Sequence, residues 1–299
     1  MRWLSVFLWI TSIFGYAQNV SSEESQGFIE NEGVQLHYIK REPAKGMDSS
    51  KPVLLFIPGL MMPAWIWEKQ LSYFSKEYVV IAMDPRSQGD STQTGEGQYT
   101  SSRAKDIKAL LDGLDIHSVV LIGWSLAVSE VISYLNQFGF EGVRGVVLVD
   151  GFVGFDLGSV VYNTILNYWS EQLQKNRILK THEFITGMFR QPQGEEYIKK
   201  LQASALRMPT STVMSLLFNY LHTDLRPFLS SWKAPSVKVP FMIVTIAGNA
   251  ARLESMKEIQ RLIPDSSLEI IENAGHSLFV DRPEAFNQIL ETVLDEEKR

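Results

Sequence analysis

Ser118-Val119-Val120-Leu121-Ile122-Gly123-Trp124-Ser125-Leu126-Ala127-Val128 is the stretch that decides how this chain folds. Its first half is apolar and β-branched through Ile122, the pattern of a strand buried on both faces. Downstream, Val128, Val131, Ile132, Leu135 and Phe138 recur at helical spacing, which predicts a helix over 126–138. Little chain remains between the two elements, so the backbone must reverse sharply at Ser125. A serine on such a strand-to-helix turn is pushed out into an exposed position.

The same alternation extends in both directions. Pro52 to Ile57 reads as a buried strand that stops at Pro58-Gly59, Tyr78 to Ala82 as a second ending at Asp84, and Val143 to Val149 as a third closed by Asp150-Gly151. Between them, Trp65, Trp67, Leu71 and Phe74 can share one helix face, and Ile107, Leu110, Leu111 and Leu114 form another stripe. Strands and helices joined by short connections imply an α/β fold, with a mostly parallel central sheet and helices on both faces. Ahead of it, two β-like runs flank the turn sequence Asn31-Glu32-Gly33 and predict a leading hairpin. Over 152–237 the β signal gives way to helix-like stretches rich in Leu, Met, Phe and Tyr, read as a helical cap insertion. Sheet pattern returns at Pro240 to Ile246 and Ser267 to Ile271, and a helix from Arg282 to Leu294 closes the chain. The core is therefore expected to comprise residues 27–151 and 238–299.

Met1-Arg2, the apolar run Trp3 to Phe14 and the small residues Gly15 and Ala17 have the layout of a cleavable signal peptide over 1–17. The run is shorter than the roughly 20 apolar residues a membrane span needs. A secreted or periplasmic protein starting at Gln18 is expected, with no stable membrane span after cleavage and a polar linker over 18–26. A net charge of -6 provides no basic field for nucleic acid. The absence of cysteine excludes disulfides and thiolate metal sites. Neither a His-Glu-x-x-His metal motif nor a Gly-rich nucleotide loop occurs, so no cofactor is expected.

Three segments flank Ser125 in order: Leu54-Leu55-Phe56-Ile57-Pro58-Gly59-Leu60, Asp84-Pro85-Arg86-Ser87-Gln88-Gly89-Asp90-Ser91, and Asn273-Ala274-Gly275-His276-Ser277 followed by Arg282-Pro283-Glu284. With Gly123-Trp124-Ser125-Leu126-Ala127 they resemble the signatures of the α/β-hydrolase superfamily over nearly the whole mature chain. The sequence departs from the usual pattern at Pro58, where histidine is common, and at Ser87 and Ala127, where glycine is. The resemblance implies a serine hydrolase with Ser125 as nucleophile and His276 as base, since a serine hydroxyl attacks poorly until an imidazole takes its proton. His37, His117, His182 and His222 have no comparable setting. By family position, the backbone N–H groups of Leu60 and Leu126 would form the oxyanion hole. Asp84 and Arg86 read as residues that pin loops.

The acid is less settled. Most relatives carry it after the strand that corresponds to Pro240 to Ile246, but here that segment reads Gly248-Asn249-Ala250-Ala251, with no carboxylate before Glu254. Haloalkane dehalogenase-like members place it after the preceding strand, where Asp150 stands. Asp150 is the expected acid; Glu254, Asn249 as a neutral orienter, or no acid at all stay open. Dehalogenase chemistry itself needs a carboxylate where Ser125 stands. Met208, Met214, Leu217, Phe218 and Tyr220 suggest an apolar lining under the cap, hence a partly apolar small-molecule substrate. An esterase leads, with a cofactor-free haloperoxidase or perhydrolase activity, or a ligand-binding protein without turnover, as the alternatives. Nothing in the pattern sets the oligomeric state.

Overall fold

The computed structural model describes residues 22–46, 48–231 and 239–297; the signal peptide expected over 1–17 lies outside them. Eight strands form one sheet: β1 (Glu23–Asn31), β2 (Val34–Glu42), β3 (Val53–Ile57), β4 (Val80–Met83), β5 (Val119–Trp124), β6 (Val143–Val149), β7 (Phe241–Ile246) and β8 (Ser267–Ile271). Their order is β1-β2-β4-β3-β5-β6-β7-β8. From β4 to β8 every pairing is parallel, while β1/β2 and β2/β4 are antiparallel. The hairpin turns at Glu32 and Gly33, both at positive φ, and brings Asn31 opposite Val34. The polar linker expected over 18–26 needs correction, because β1 already starts at Glu23. An edge strand is held by backbone hydrogen bonds to β2, so its polar side chains do not prevent pairing.

The core helices are α1 (Glu68–Phe74), preceded by a 3-10 turn over Ala64–Trp67, α2 (Thr100–Gly113) and α3 (Leu126–Phe138). Among the described residues, six more lie between β6 and β7: α4 (Val160–Asn167), α5 (Leu173–Lys175), α6 (Arg177–Thr186), α7 (Glu195–Arg207), α8 (Thr210–His222) and α9 (Arg226–Ser230), with a π-helical turn over Tyr168–Gln172. Then follow α10 (Ala250–Leu262), α11 (Leu278–Asp281) and α12 (Pro283–Glu297).

The sheet separates two apolar layers because alternate side chains of each strand point to opposite faces. Leu54, Phe56, Val120, Ile122, Val147 and Val149 face the layer shared with α1, α12 and the cap helices. Leu55, Ile57, Leu121, Val146 and Leu148 face α2 and α3. Of the side chains expected to line the pocket, Met208, Leu217 and Tyr220 are buried in the first layer and Met214 packs against it. Phe218 does not; it is 59% exposed and lies tilted against the His222 ring, with ring centres 4.2 Å apart.

Trp67 is the centre of the first layer: it is fully buried, stacks on Phe279 at 3.7 Å and meets Trp124 edge-on at 6.4 Å. Through these rings, packing links the start of α1 to the segment after His276. Trp67→Ala should destabilise the protein by about 3–5 kcal/mol, read as a lowered midpoint in urea denaturation. A change below about 1 kcal/mol would mean that the layer can collapse into the space left behind.

Candidate active site

Ser125 occupies the junction of β5 and α3 with φ 60 and ψ -118, a conformation that costs of order 1–3 kcal/mol and persists only where the surroundings enforce it. Enforcement comes from both sides. The Ser125 N–H donates to the Val149 carbonyl at 2.8 Å and its carbonyl accepts from Val128 N–H at 3.1 Å. Gly123 has to be glycine, because a Cβ there would stand 2.6 Å from the Ala127 carbonyl oxygen. Ala127, in contrast, has ordinary negative φ and its methyl is fully buried among the α3 contacts, so the departure from glycine is accommodated. Ser125 remains partly exposed.

One residue beyond β6 the backbone makes a second left-handed turn, at Asp150 with φ 47, and the carboxylate is fully buried. Asp150 Oδ2 lies 2.6 Å from His276 Nδ1, and His276 Nε2 lies 2.9 Å from Ser125 Oγ. Thr245 on β7 donates its hydroxyl to Asp150 Oδ1 at 2.7 Å. The structure therefore gathers Ser125, His276 and Asp150 into one hydrogen-bonded line. The other two candidates for the acid are occupied elsewhere: Glu254 is exposed and paired with Arg261 at 2.9 Å, and the Asn249 side chain caps α10 by accepting from Arg252 N–H at 3.0 Å.

His276 is oriented from behind. Trp124 Nε1 donates to the His276 carbonyl at 2.9 Å, and Ser277 N–H donates to Met188 of the cap at 2.9 Å. Asp281 accepts from Gly275 N–H at 2.7 Å and from Arg190 N–H at 2.8 Å, tying the histidine loop to the cap. Burial, and after it the charge of Arg252, pushes the His276 imidazole down from its ordinary value to about 4, against the pull of Asp150. Burial acts to raise the Asp150 carboxyl, yet the hydrogen bond from His276, with Arg252 and Thr245, holds it below the usual carboxylate range.

Opposite Ser125 runs the turn Gly59-Leu60-Met61-Met62, closed by Met62 N–H on the Gly59 carbonyl at 3.1 Å, with Met61 at φ 64. It lies close: a methyl on Gly59 would stand 2.8 Å from Ser125 Cβ. Neither Leu60 N–H nor Leu126 N–H has an acceptor among the described residues, which leaves both donors available to a ligand. Gln88 holds the turn. Its Nε2 donates to the carbonyls of Gly59 and Met62, each at 2.9 Å, and its Oε1 accepts from Arg103 Nη1 at 3.0 Å. Arg103 is in turn paired with Glu130 at 3.1 Å and donates to the Arg86 carbonyl at 2.8 Å, all within the buried interior.

Asp84 and Arg86 pin loops at the strand ends. Asp84 pairs with His37 at 2.7 Å and accepts from Asp90 N–H at 3.0 Å, while Arg86 grips Asp106 in a two-pronged bond. Asp90 reaches Arg207 of α7, so this loop also ties the cap to the core. His117, His182 and His222 are exposed and bonded to Asp115, Gln202 and Tyr162, away from Ser125. Gln88, Thr245, Trp124 and the Arg103–Glu130 pair are the contributors that sequence reasoning missed. Gln88 and Trp124 carried a signal, since Gln88 lies inside the quoted segment that ends at Ser91 and Trp124 stands directly before Ser125 in the quoted turn.

A family model for alpha/beta hydrolases matches residues 54–289. The chain belongs to the alpha/beta hydrolase family. Among its alpha/beta hydrolase relatives is a putative non-heme chloroperoxidase of Synechocystis, 35% identical over 104 residues, a match that covers 34% of this chain but only 37% of that protein. The N-formylmaleamate deformylase of Pseudomonas putida is 25% identical over 87% of this chain and 92% of its own length. Among solved structures, the esterase EaEST from Exiguobacterium antarcticum superposes with a TM-score of 0.79 at 18% identity, covering 90% of this chain and 99% of that one.

The Arg103–Glu130 pair generates a prediction. Glu130→Leu leaves a buried guanidinium without its counter-charge and should cost about 3–5 kcal/mol, whereas Arg103→Met combined with Glu130→Leu should recover most of it. Urea denaturation of both variants measures this, and equal losses in the two would show that the charges do not depend on each other.

Proposed function

We propose that this alpha/beta hydrolase cleaves a small, partly apolar ester or related acyl substrate through an acyl-enzyme on Ser125. The observation that supports it is the unbroken line from Asp150 through His276 to Ser125 Oγ, with spacings of 2.6 and 2.9 Å. His276 accepts the Ser125 proton as Oγ attacks the substrate carbonyl. Leu60 and Leu126 N–H receive the oxyanion, and the imidazolium then passes the proton to the departing alcohol. In the second half, His276 deprotonates a water that attacks the ester on Ser125, and the acid leaves as Ser125 recovers its proton. Asp150 keeps the imidazole in the tautomer whose Nε2 faces Ser125. The relative named as a deformylase is in keeping with acyl chemistry at such a site. The relative named as a chloroperoxidase supports a second reading, in which hydrogen peroxide replaces water in the deacylation step and releases a peracid.

The test uses a fluorophosphonate probe, which reports an activated serine without knowledge of the substrate. Labelling is expected in the intact protein and absent in Ser125→Ala and His276→Ala. Asp150→Asn should label slower by about four orders of magnitude because the imidazole tautomer is lost. A folded sample that takes no probe would shift the reading to a ligand-binding protein on this scaffold. Export remains part of the proposal, and it predicts that the protein recovered from outside the cytoplasm begins at Gln18, checked by intact mass; a chain retaining Met1 there would refute it.

A further inference from the structure

Behind the acid stands a cation that the proposed reaction does not require. Arg252, in the first turn of α10, places Nη1 3.7 Å from Asp150 Oδ2, the same oxygen that accepts from His276 Nδ1. At that separation it is too long for a hydrogen bond and acts as a charge. Among the described residues Arg252 has no other carboxylate partner, and its side chain is one-quarter exposed, against none for Asp150. The segment where most relatives would carry the acid thus delivers a guanidinium to an acid supplied by β6.

We propose that Arg252 is a positioning residue that sets the working pH of the base: its charge offsets the pull of Asp150 on the imidazole and keeps His276 neutral in mildly acidic solution. The inference rests on the serine hydrolase reading for its consequence, though not for its measurement. A carboxylate close to an imidazole stabilises the protonated ring, and a cation on the far side of that carboxylate opposes the effect. Arg252 and Asp150 act on His276 in opposite senses: burial is the largest influence and lowers the ring, Arg252 lowers it further, and Asp150 raises it.

Other groups around the pair are committed. Tyr220 of α8 is a buried phenol held above its ordinary value by burial, and so stays neutral. Thr245 of β7 bonds Asp150 without charge. On α9, Arg226 is engaged by Asp224 and Asp156, with Glu258 of α10 at 3.8 Å. Asp281 of α11 is taken by backbone N–H groups, Glu130 of α3 by Arg103, and Glu269 of β8 is exposed.

The experiment compares the full chain with Arg252→Gln, which removes the charge, and Arg252→Lys, which keeps it. The His276 titration is followed by NMR of 15N-histidine-labelled protein, and the rate of fluorophosphonate labelling is followed against pH. Arg252→Gln should move both the His276 midpoint and the acid limb of labelling upward by about one pH unit, which at a pH below the limb is about a tenfold loss of rate. Arg252→Lys should stay close to the parent. An unchanged midpoint in Arg252→Gln, or an equal shift in Arg252→Lys, would overturn the proposal. Failure of the parent to take the probe would overturn the serine hydrolase reading instead, and the NMR midpoints would still decide the role of Arg252.

Discussion

The positive-φ turn at Ser125 is the constraint on which the remaining structure depends. A strained residue of this kind survives only if the elements either side of it are immobile. Here β5 is bonded between β3 and β6, and α3 presses ten buried residues against the sheet and its neighbours. The hydrogen bond from Ser125 N–H to Val149 couples that turn to the end of β6, where Asp150 makes the next left-handed turn. Two strained positions on adjacent strands are thus set against each other. The distance from Ser125 to Asp150 is in effect a property of parallel strand pairing between β5 and β6.

Around this line the polar network divides into two parts with different physical characters. On the side of the Gly59–Met62 turn, Gln88, Arg103 and Glu130 are almost wholly removed from water; Gln88 Nε2 and Arg103 Nη1 have buried acceptors, while Arg103 Nε has none among the described residues. On the side of the histidine, Trp124 and Asp281 hold backbone groups of the loop, and Asp281 and Met188 connect it to the cap. The cap is therefore anchored to the same residues that orient His276. Arg207 on Asp90 and Asn219 on Thr100 add further ties between cap and core.

Much of the fold was legible because burial writes a period into the sequence. Strands covered on both faces, such as Val119 to Ile122 and Val146 to Val149, read as continuous apolar runs, and α3 reads as a stripe. Elements without that burial were harder to see. β1 is exposed over Glu23–Gln26 and only half-buried at Gly27, Ile29 and Asn31, and is a strand because of its pairing with β2, so its first residues look like a tether. Phe218 belongs to a helix whose Val213, Leu216, Leu217, Tyr220 and Leu221 are buried and whose Met214 is partly so, and composition alone cannot say which apolar residue turns outward.

For the site, the sequence by itself pointed to Ser125 and its exposed turn through a local pattern, since strand, glycine, serine and helix follow one another within the chain, and to His276 through the resemblance of its loop. Asp150 was the expected acid, with Glu254, Asn249 or no acid at all left open, because the choice turns on which residue lies beside His276 across 126 positions of chain. Only the tertiary structure shows which one does, through the parallel alignment of β6 with β7 that puts Asp150 and Thr245 side by side while Asn249 caps a helix and Glu254 faces solvent. The same reason hides Thr245, Arg103, Glu130 and Arg252 from any reading of the sequence. Their partners are distant in the chain, and hydrogen bonds and charges act over a few ångströms of space irrespective of how much chain lies between.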